Sequence, residues 1–258
     1  MAEYLFSEFS NSELDLLHQT ISKILNISKE KCINMYDTMR QEFDLEGFTS
    51  EISLPRNIFC SSDIDFQKRY NEALVIGVDI PSLLEKNDNY SNKKTIVILG
   101  QDPLRKSDKR IEDIGIATPY GMHLKVCREK LRNTRLYFDL IKVLLDEGYR
   151  VYLTDIFKVW VSETDKDKAI PLSRKDYPRF AEVLSTEVEI FKPPVVITWG
   201  KVASRTLGSL KLSINHLEFP HPSGANNGKW RKLMGQPATR ENRISFWKQR
   251  LGDIVMNS

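Results

Sequence analysis

Cysteine is scarce in this 258-residue chain, and Cys32, Cys60 and Cys127 follow no paired spacing. That excludes a disulfide framework and any four-thiolate centre, and suits a reducing, cytoplasmic setting. Histidine is nearly as rare, so any imidazole chemistry must rest on His18, His123, His216 or His221. No run approaches the ~18 consecutive apolar residues of a membrane span, and residues 1–10 lack the basic stretch and apolar core of a secretion signal. A soluble, untargeted protein without membrane contact is expected. No glycine-rich phosphate fingerprint follows an apolar run, which counts against a Rossmann-type nucleotide enzyme. A dominant charge is missing too: 38 Lys and Arg against 35 Asp and Glu leave a net +3, so affinity for a polyanion must come from local patches.

What is present is an alternation of apolar strands and amphipathic helices. Residues 11–45 read as two helices, opened at Ser12 and Ser28, and 66–74 as another, so residues 1–92 are expected to form an N-terminal helical extension packed on the core. Residues 87–92 form a polar connector into the first core strand. Four strands are expected near 95–99, 151–155, 195–199 and 214–219. A long helix over 126–145 carries the stripe Leu131, Leu136, Leu140 and Val143, and further helices are expected over 181–191 and 240–255. Strands alternating with helices imply parallel pairing. The expected fold is therefore a three-layer α/β/α sandwich with a central, mainly parallel four-stranded sheet over 93–258.

Two stretches carry chemistry. The string TIVILGQDPL at 95–104 runs a buried strand into a turn where Gly100 admits a close backbone approach and Pro103 stops ladder pairing. Asp102 is thereby held at a strand's C-terminal mouth, where ligands bind in open α/β sheets. An ordinary turn explains an Asp-Pro pair equally well. Far downstream, LEFPHPSGAN at 217–226 fixes His221 between Pro220 and Pro222 above a loop of small and amide residues. His18, His123 and His216 have no such setting and are expected to serve locally.

VILGQDP at 97–103 together with HPS at 221–223 resembles the two active-site motifs of the uracil-DNA glycosylase superfamily, and VVITWG at 195–200 is similar to its central strand. The order and rough spacing agree over about residues 94–250. The resemblance implies hydrolysis of the bond between a deoxyribose and a flipped-out base, in base excision repair or in defence against modified foreign DNA. It assigns Asp102 to the water and the cationic sugar, and His221 to the base carbonyl as it gains negative charge, a contact worth ~3 kcal/mol. No metal or cofactor is needed, and the iron–sulfur cluster of some branches cannot be built from three cysteines. A catalytically silent DNA-binding relative, or an ordinary uracil-DNA glycosylase, are the rival readings.

The departures from the best-known branch concern the base. Where that branch has a tyrosine crowding the pyrimidine C5, a stacking phenylalanine and a base-reading asparagine, this chain places Leu104, Thr118 and Asp155, with Gln101 beside them. An ionised aspartate accepts from the exocyclic amine of cytosine and repels O4 of uracil, whereas a protonated one could donate. Putting Thr154 in that position requires a gap. A cytosine-type or 5-modified pyrimidine is thus expected ahead of plain uracil. For DNA, the loop Ser223, Gly224, Ala225, Asn226, Asn227, Lys229, Trp230 and Arg231 is the candidate wedge and phosphate contact. Ala225 is too small to fill a vacated stack, which leaves Asn226 or Trp230 to do so. Lys232, Arg240 and Arg243 extend the basic cluster, which suits phosphate or a solvated helix face. Lys201 and the basic loop from Arg105 are further phosphate candidates, and the protein is expected to act as a monomer.

Overall fold

The computed structural model describes residues 3–47, 52–88, 90, 93–105, 112–163 and 166–255. The chain opens with β1 (Tyr4–Phe6), α1 (Asn11–Ile21) and α2 (Lys29–Glu42), followed by β2 (Ile52–Leu54), α3 (Ile64–Glu72), β3 (Ile76–Asp79) and β4 (Ser82–Lys86). Then come β5 (Thr95–Gly100), β6 (Ile114–Ala117), α4 (Lys125–Glu129), α5 (Arg132–Asp146) and β7 (Arg150–Asp155). The remainder is β8 (Val159–Glu163), β9 (Lys166–Ala169), α6 (Tyr177–Phe191), β10 (Val196–Trp199), α7 (Lys201–Ser209), β11 (His216–Phe219), α8 (Asn227–Met234) and α9 (Arg240–Val255). Ser10 and Ser28 cap α1 and α2 through their side chains, which is why those helices begin where they do.

The four expected strands do pair in parallel, in the order β7-β5-β10-β11. The sheet does not stop there. On its β7 edge, β4 and then β1 add antiparallel, giving a mixed sheet of six strands where four were expected. A second sheet follows the order β2-β6-β3-β8-β9, with β3 and β6 parallel and the other pairs antiparallel. Residues before 93 are accordingly not only helical: they hold four strands, two in each sheet. Short apolar runs on either side of Pro81, IGVD and SLL, are the sequence trace of β3 and β4.

Side-chain direction along the strands fixes the layers. Tyr152 and Thr154 of β7 turn towards Glu187 of α6, while Trp199 of β10 turns the other way, onto Tyr137 of α5 and Trp247 of α9. The helix expected over 126–145 is broken in two. Thr134 Oγ1 donates to the carbonyl of Cys127 at 2.6 Å, and the Leu131 amide bonds instead to Val126. Leu131 is left 41% exposed, outside the stripe, whereas Leu136, Leu140 and Val143 are buried.

Behind the end of β7 lies a fully buried ion pair. Lys158 Nζ donates to Glu187 Oε2 at 2.9 Å, to Thr154 Oγ1 at 2.6 Å and to the Asp155 carbonyl at 2.6 Å, so all three ammonium donors are used. Tyr152 Oη adds a 2.8 Å bond to Glu187. Removing one partner from such a network strands a buried charge. Glu187→Ala is expected to lower the unfolding free energy by about 3 to 5 kcal/mol in urea titrations; a loss below about 1 kcal/mol would mean that the pair behaves like a solvated surface contact instead.

Candidate active site

The C-terminal ends of the parallel strands gather the expected chemistry. Asp102 follows β5 and His221 follows β11, and both strands flank β10. The two motifs are joined by a residue that sequence reasoning passed over. Tyr120, in the turn after β6, places its hydroxyl 3.4 Å from His221 Nε2 and close above Gly100. A Cβ at Gly100 would lie 2.6 Å from that hydroxyl and 2.0 Å from Asp155 Oδ1, so only glycine lets both groups approach the strand end.

Asp102 is half-buried. Gln101 Nε2 donates to its Oδ2 at 2.7 Å, and the Leu104 amide bonds to its carbonyl at 3.0 Å. Burial pushes the carboxyl above the usual range, Gln101 works against that, and the charge of Asp79 adds to it. Asp155 is buried at 2% exposure, and its Oδ1 has no hydrogen-bond partner among the described residues. Burial first, then the charge of Asp79, raises Asp155 well above an ordinary carboxyl; Lys158 opposes and Asp102 reinforces the shift. An orphaned buried carboxyl oxygen of this kind is a group waiting for a partner. Thr154 faces the opposite side of the sheet, bonded by Lys158, so Asp155 is the residue of this strand end that points towards the site.

His221 is held from several directions. The Ser223 amide donates to Nδ1 at 3.3 Å and the Ser223 hydroxyl lies 3.0 Å from the same atom, which leaves the proton of a neutral ring on Nε2. Asn226 Nδ2 donates to Ser223 Oγ at 3.2 Å. Trp230 Nε1 donates to the His221 carbonyl at 3.1 Å, and Arg243 Nη1 donates to the Pro222 carbonyl at 2.9 Å. Burial lowers the imidazole to about 4, helped by the charge of Lys229, so the ring is neutral at pH 7. Around it stand Tyr120 and Tyr137, stacked at 4.2 Å, and Trp199, 5.4 Å from Tyr120. Tyr120 holds φ at +59°, an uncommon conformation for a bulky residue.

Several expected roles do not survive the placement of the side chains. Trp230 is fully buried, 6.1 Å from Phe219 and nearly parallel to it, because its indole closes the core beneath the His221 loop; it is not available to fill a base stack. Thr118 is also fully buried, bonded to His123 Nδ1 at 3.0 Å, and the aromatic ring of this turn is Tyr120, two residues later. Arg105 pairs with buried Asp79, Arg240 with Asp139, and Arg243 serves the Pro222 carbonyl, so none of these is a free phosphate contact. Gln101 and Leu104 are exposed at the mouth, and Gly224, Ala225, Asn227, Lys229, Arg231 and Lys201 are exposed beside it. Asn226 and Ser223 are half-buried under His221. A separate cleft of about 420 Å³, lined by Glu13, Lys94, Arg150 and Lys192 among others, contains none of these groups.

Among the described residues no helix is long and apolar enough to cross a membrane. A search of curated proteins finds no match. The family model of the uracil DNA glycosylase superfamily matches residues 87–248, which takes in both strand-end motifs, the central strand and Tyr120. With that match spanning more than half of the chain, the protein belongs to the uracil DNA glycosylase superfamily.

Proposed function

We propose that the protein is a DNA glycosylase that hydrolyses the N-glycosidic bond of a flipped-out pyrimidine, with Asp102 and His221 as the catalytic residues. The observation that carries this reading is a carboxyl group and a neutral imidazole at the same end of the parallel strands, with the Tyr120 hydroxyl set between Gly100 and His221. As the bond to the base lengthens, C1′ gains positive charge and the base gains negative charge. Asp102 stabilises the sugar and orients or deprotonates the attacking water. His221 Nε2–H donates to the base carbonyl, where a fixed donor in a dry site acts on charge that develops only in the transition state. The target must leave the duplex to reach these groups, and exposed Lys229, Arg231 and Lys201 supply phosphate contacts.

Asp155 reads the base edge in this proposal. Its neutral acid offers one O–H donor and one acceptor oxygen, which suits N3 and the amine of cytosine and also suits N3–H and O4 of uracil. Once ionised it keeps one contact with either ring, accepting from the cytosine amine or from uracil N3–H, and it repels the cytosine N3 lone pair as it does uracil O4. The acid form is therefore the state that reads a pyrimidine edge through two contacts. Leu104, 52% exposed, gives no flat wall against C5, so a 5-substituted ring is accommodated. A 5-modified base of foreign DNA would make this a defence enzyme, and a damaged base of the cell's own genome a repair enzyme.

Oligonucleotides carrying uracil, cytosine or 5-substituted cytosines, assayed for free base and for strand scission at abasic sites, test the reading. Release of a cytosine-type base is expected, with Asp102→Asn reducing it about 10²- to 10⁴-fold. Retained DNA binding without release of any base would point to a silent DNA-binding relative. Asp155 has its own signature in pH. Its folded pKa is raised, so the acid form persists above the ordinary carboxyl range and is lost as pH climbs through the raised value. Base release should therefore fall as pH rises through that value, and Asp155→Asn should remove that dependence. A fall with pH that persists unchanged in Asp155→Asn would contradict the assignment.

A further inference from the structure

Asp79 lies at the end of β3, in the second sheet, and has no part in the motifs of the two strand ends. It is 2% exposed, and Arg105 Nη2 donates to its Oδ1. Arg105 follows Asp102, Pro103 and Leu104 directly, and its Nη1 lies 3.4 Å from the carbonyls of Pro103 and Leu104. The backbone contact is just as close. A Cβ at Gly77 would stand 2.0 Å from the Pro103 carbonyl and 2.9 Å from Arg105 Cγ, so β3 and the Asp102 loop touch where only glycine fits. The end of β3 also reaches the other two site loops. The Asp79 amide donates to the Lys158 carbonyl at 3.2 Å, just beyond Asp155, and the Ile80 amide donates to the Ala117 carbonyl at 2.9 Å, just before Tyr120.

We propose that Asp79 is a positioning residue for Asp102, acting through its ion pair with Arg105, which latches the 102–105 loop against the second sheet. The proposal rests on the reading of Asp102 as the group that serves the sugar and the water. It ties the first third of the chain to the chemistry, because β3 supplies a carboxyl, held by Arg105, at the meeting point of the three loops that carry Asp102, Tyr120 and Asp155. A buried pair of this kind is poor as a source of stability and well suited to fixing one geometry. A misplacement of about 1 Å at a reacting centre can cost about 100-fold in rate.

Charge follows from the same contacts. Among the described residues, the groups facing Asp102 and Asp79 are Asp155 from β7, Tyr120 from the turn after β6, and Gln101 and Arg105 from the loop itself, with Lys158 bonded to the Asp155 carbonyl and neutral His221 beyond Tyr120. Arg105 is the cation bonded to Asp79, while Lys158 turns its ammonium to Glu187 and the Asp155 carbonyl. The Asp79 carboxylate pushes both Asp102 and Asp155 upward. Removing its charge while keeping its shape lets both titrate at lower pH, so the acid limb of activity, set by ionisation of Asp102, moves to lower pH. A residue that merely supports the fold would not move it.

Asp79→Asn, Arg105→Gln and the double variant test this, each read for kcat, KM, thermal midpoint and the Asp102 titration followed by ¹³C NMR of its carboxyl. Each single variant is expected to lose kcat about 10- to 100-fold with little change in KM. The double should lose no more than the worse single, because both break one latch. In Asp79→Asn the Asp102 midpoint should fall. Unchanged kcat per folded protein, additive losses, or an unmoved Asp102 midpoint would each overturn the proposal. Should Asp79→Asn not fold, Arg105→Gln, altered at the half-exposed partner, reads the same latch through kcat. If the wild type releases no base, the glycosylase reading fails, and the Asp102 midpoint still decides whether Asp79 acts on it.

Discussion

Desolvation of carboxyl groups where the parallel strands meet the second sheet is the constraint on which the site depends. Asp155 is removed from water with one oxygen unpartnered, Asp102 is partly removed, and Asp79 is buried against a single guanidinium. Three such groups cannot all ionise readily side by side. Burial favours the acid form of Asp155, and Arg105 pairs with Asp79, which leaves Asp102 the least buried of the three. The imidazole facing them is neutral for the same reason, since burial disfavours its protonation. A common cause thus produces an acid that can read a base edge, a carboxylate that can serve a cationic sugar, and a donor that can meet an anionic carbonyl.

The frame around these groups is built from unforgiving local choices. Gly100 and Gly77 are the two places where any side chain would collide with a carboxyl or a carbonyl of the site. Trp230 and Arg243 direct polar atoms at backbone carbonyls of the His221 loop, and Lys158 uses all of its donors at the end of β7. Rigidity is concentrated where atoms must be placed to within a fraction of an ångström, and exposed residues such as Leu104, Lys229 and Arg231 surround that frame.

Much of this was legible in the sequence, for reasons that differ between residues. The four parallel strands announce themselves because each is a short apolar run ending in a turn, and Asp102 and His221 stand out because proline fixes them there. Asp155 could be placed because the match to the motif that selects it, and not Thr154, needs no gap. Other features left little trace. Tyr120 sits two positions beyond Thr118, the residue that spacing points to, because the turn after Ala117 takes a left-handed step that spacing alone does not reveal. Trp230 and Arg243 look like surface residues in a basic stretch, and only packing shows them turned inward. Asp79 and Arg105, 26 positions apart, meet through a second sheet whose strands are three to five residues long, too short for periodicity to betray.

The central claim is that Asp102 and His221 act on opposite ends of one breaking bond while Asp155 holds the base edge. A crystal structure of the protein with duplex DNA containing a 2′-fluoro-deoxynucleotide of the preferred base, which slows cleavage, tests this most directly. The account predicts an extruded pyrimidine with C1′ beside Asp102, its carbonyl oxygen within hydrogen-bond reach of His221 Nε2, and its N3 edge against Asp155. A pyrimidine bound elsewhere, or one whose edge is read by other groups while Asp155 stays unpartnered, would contradict it.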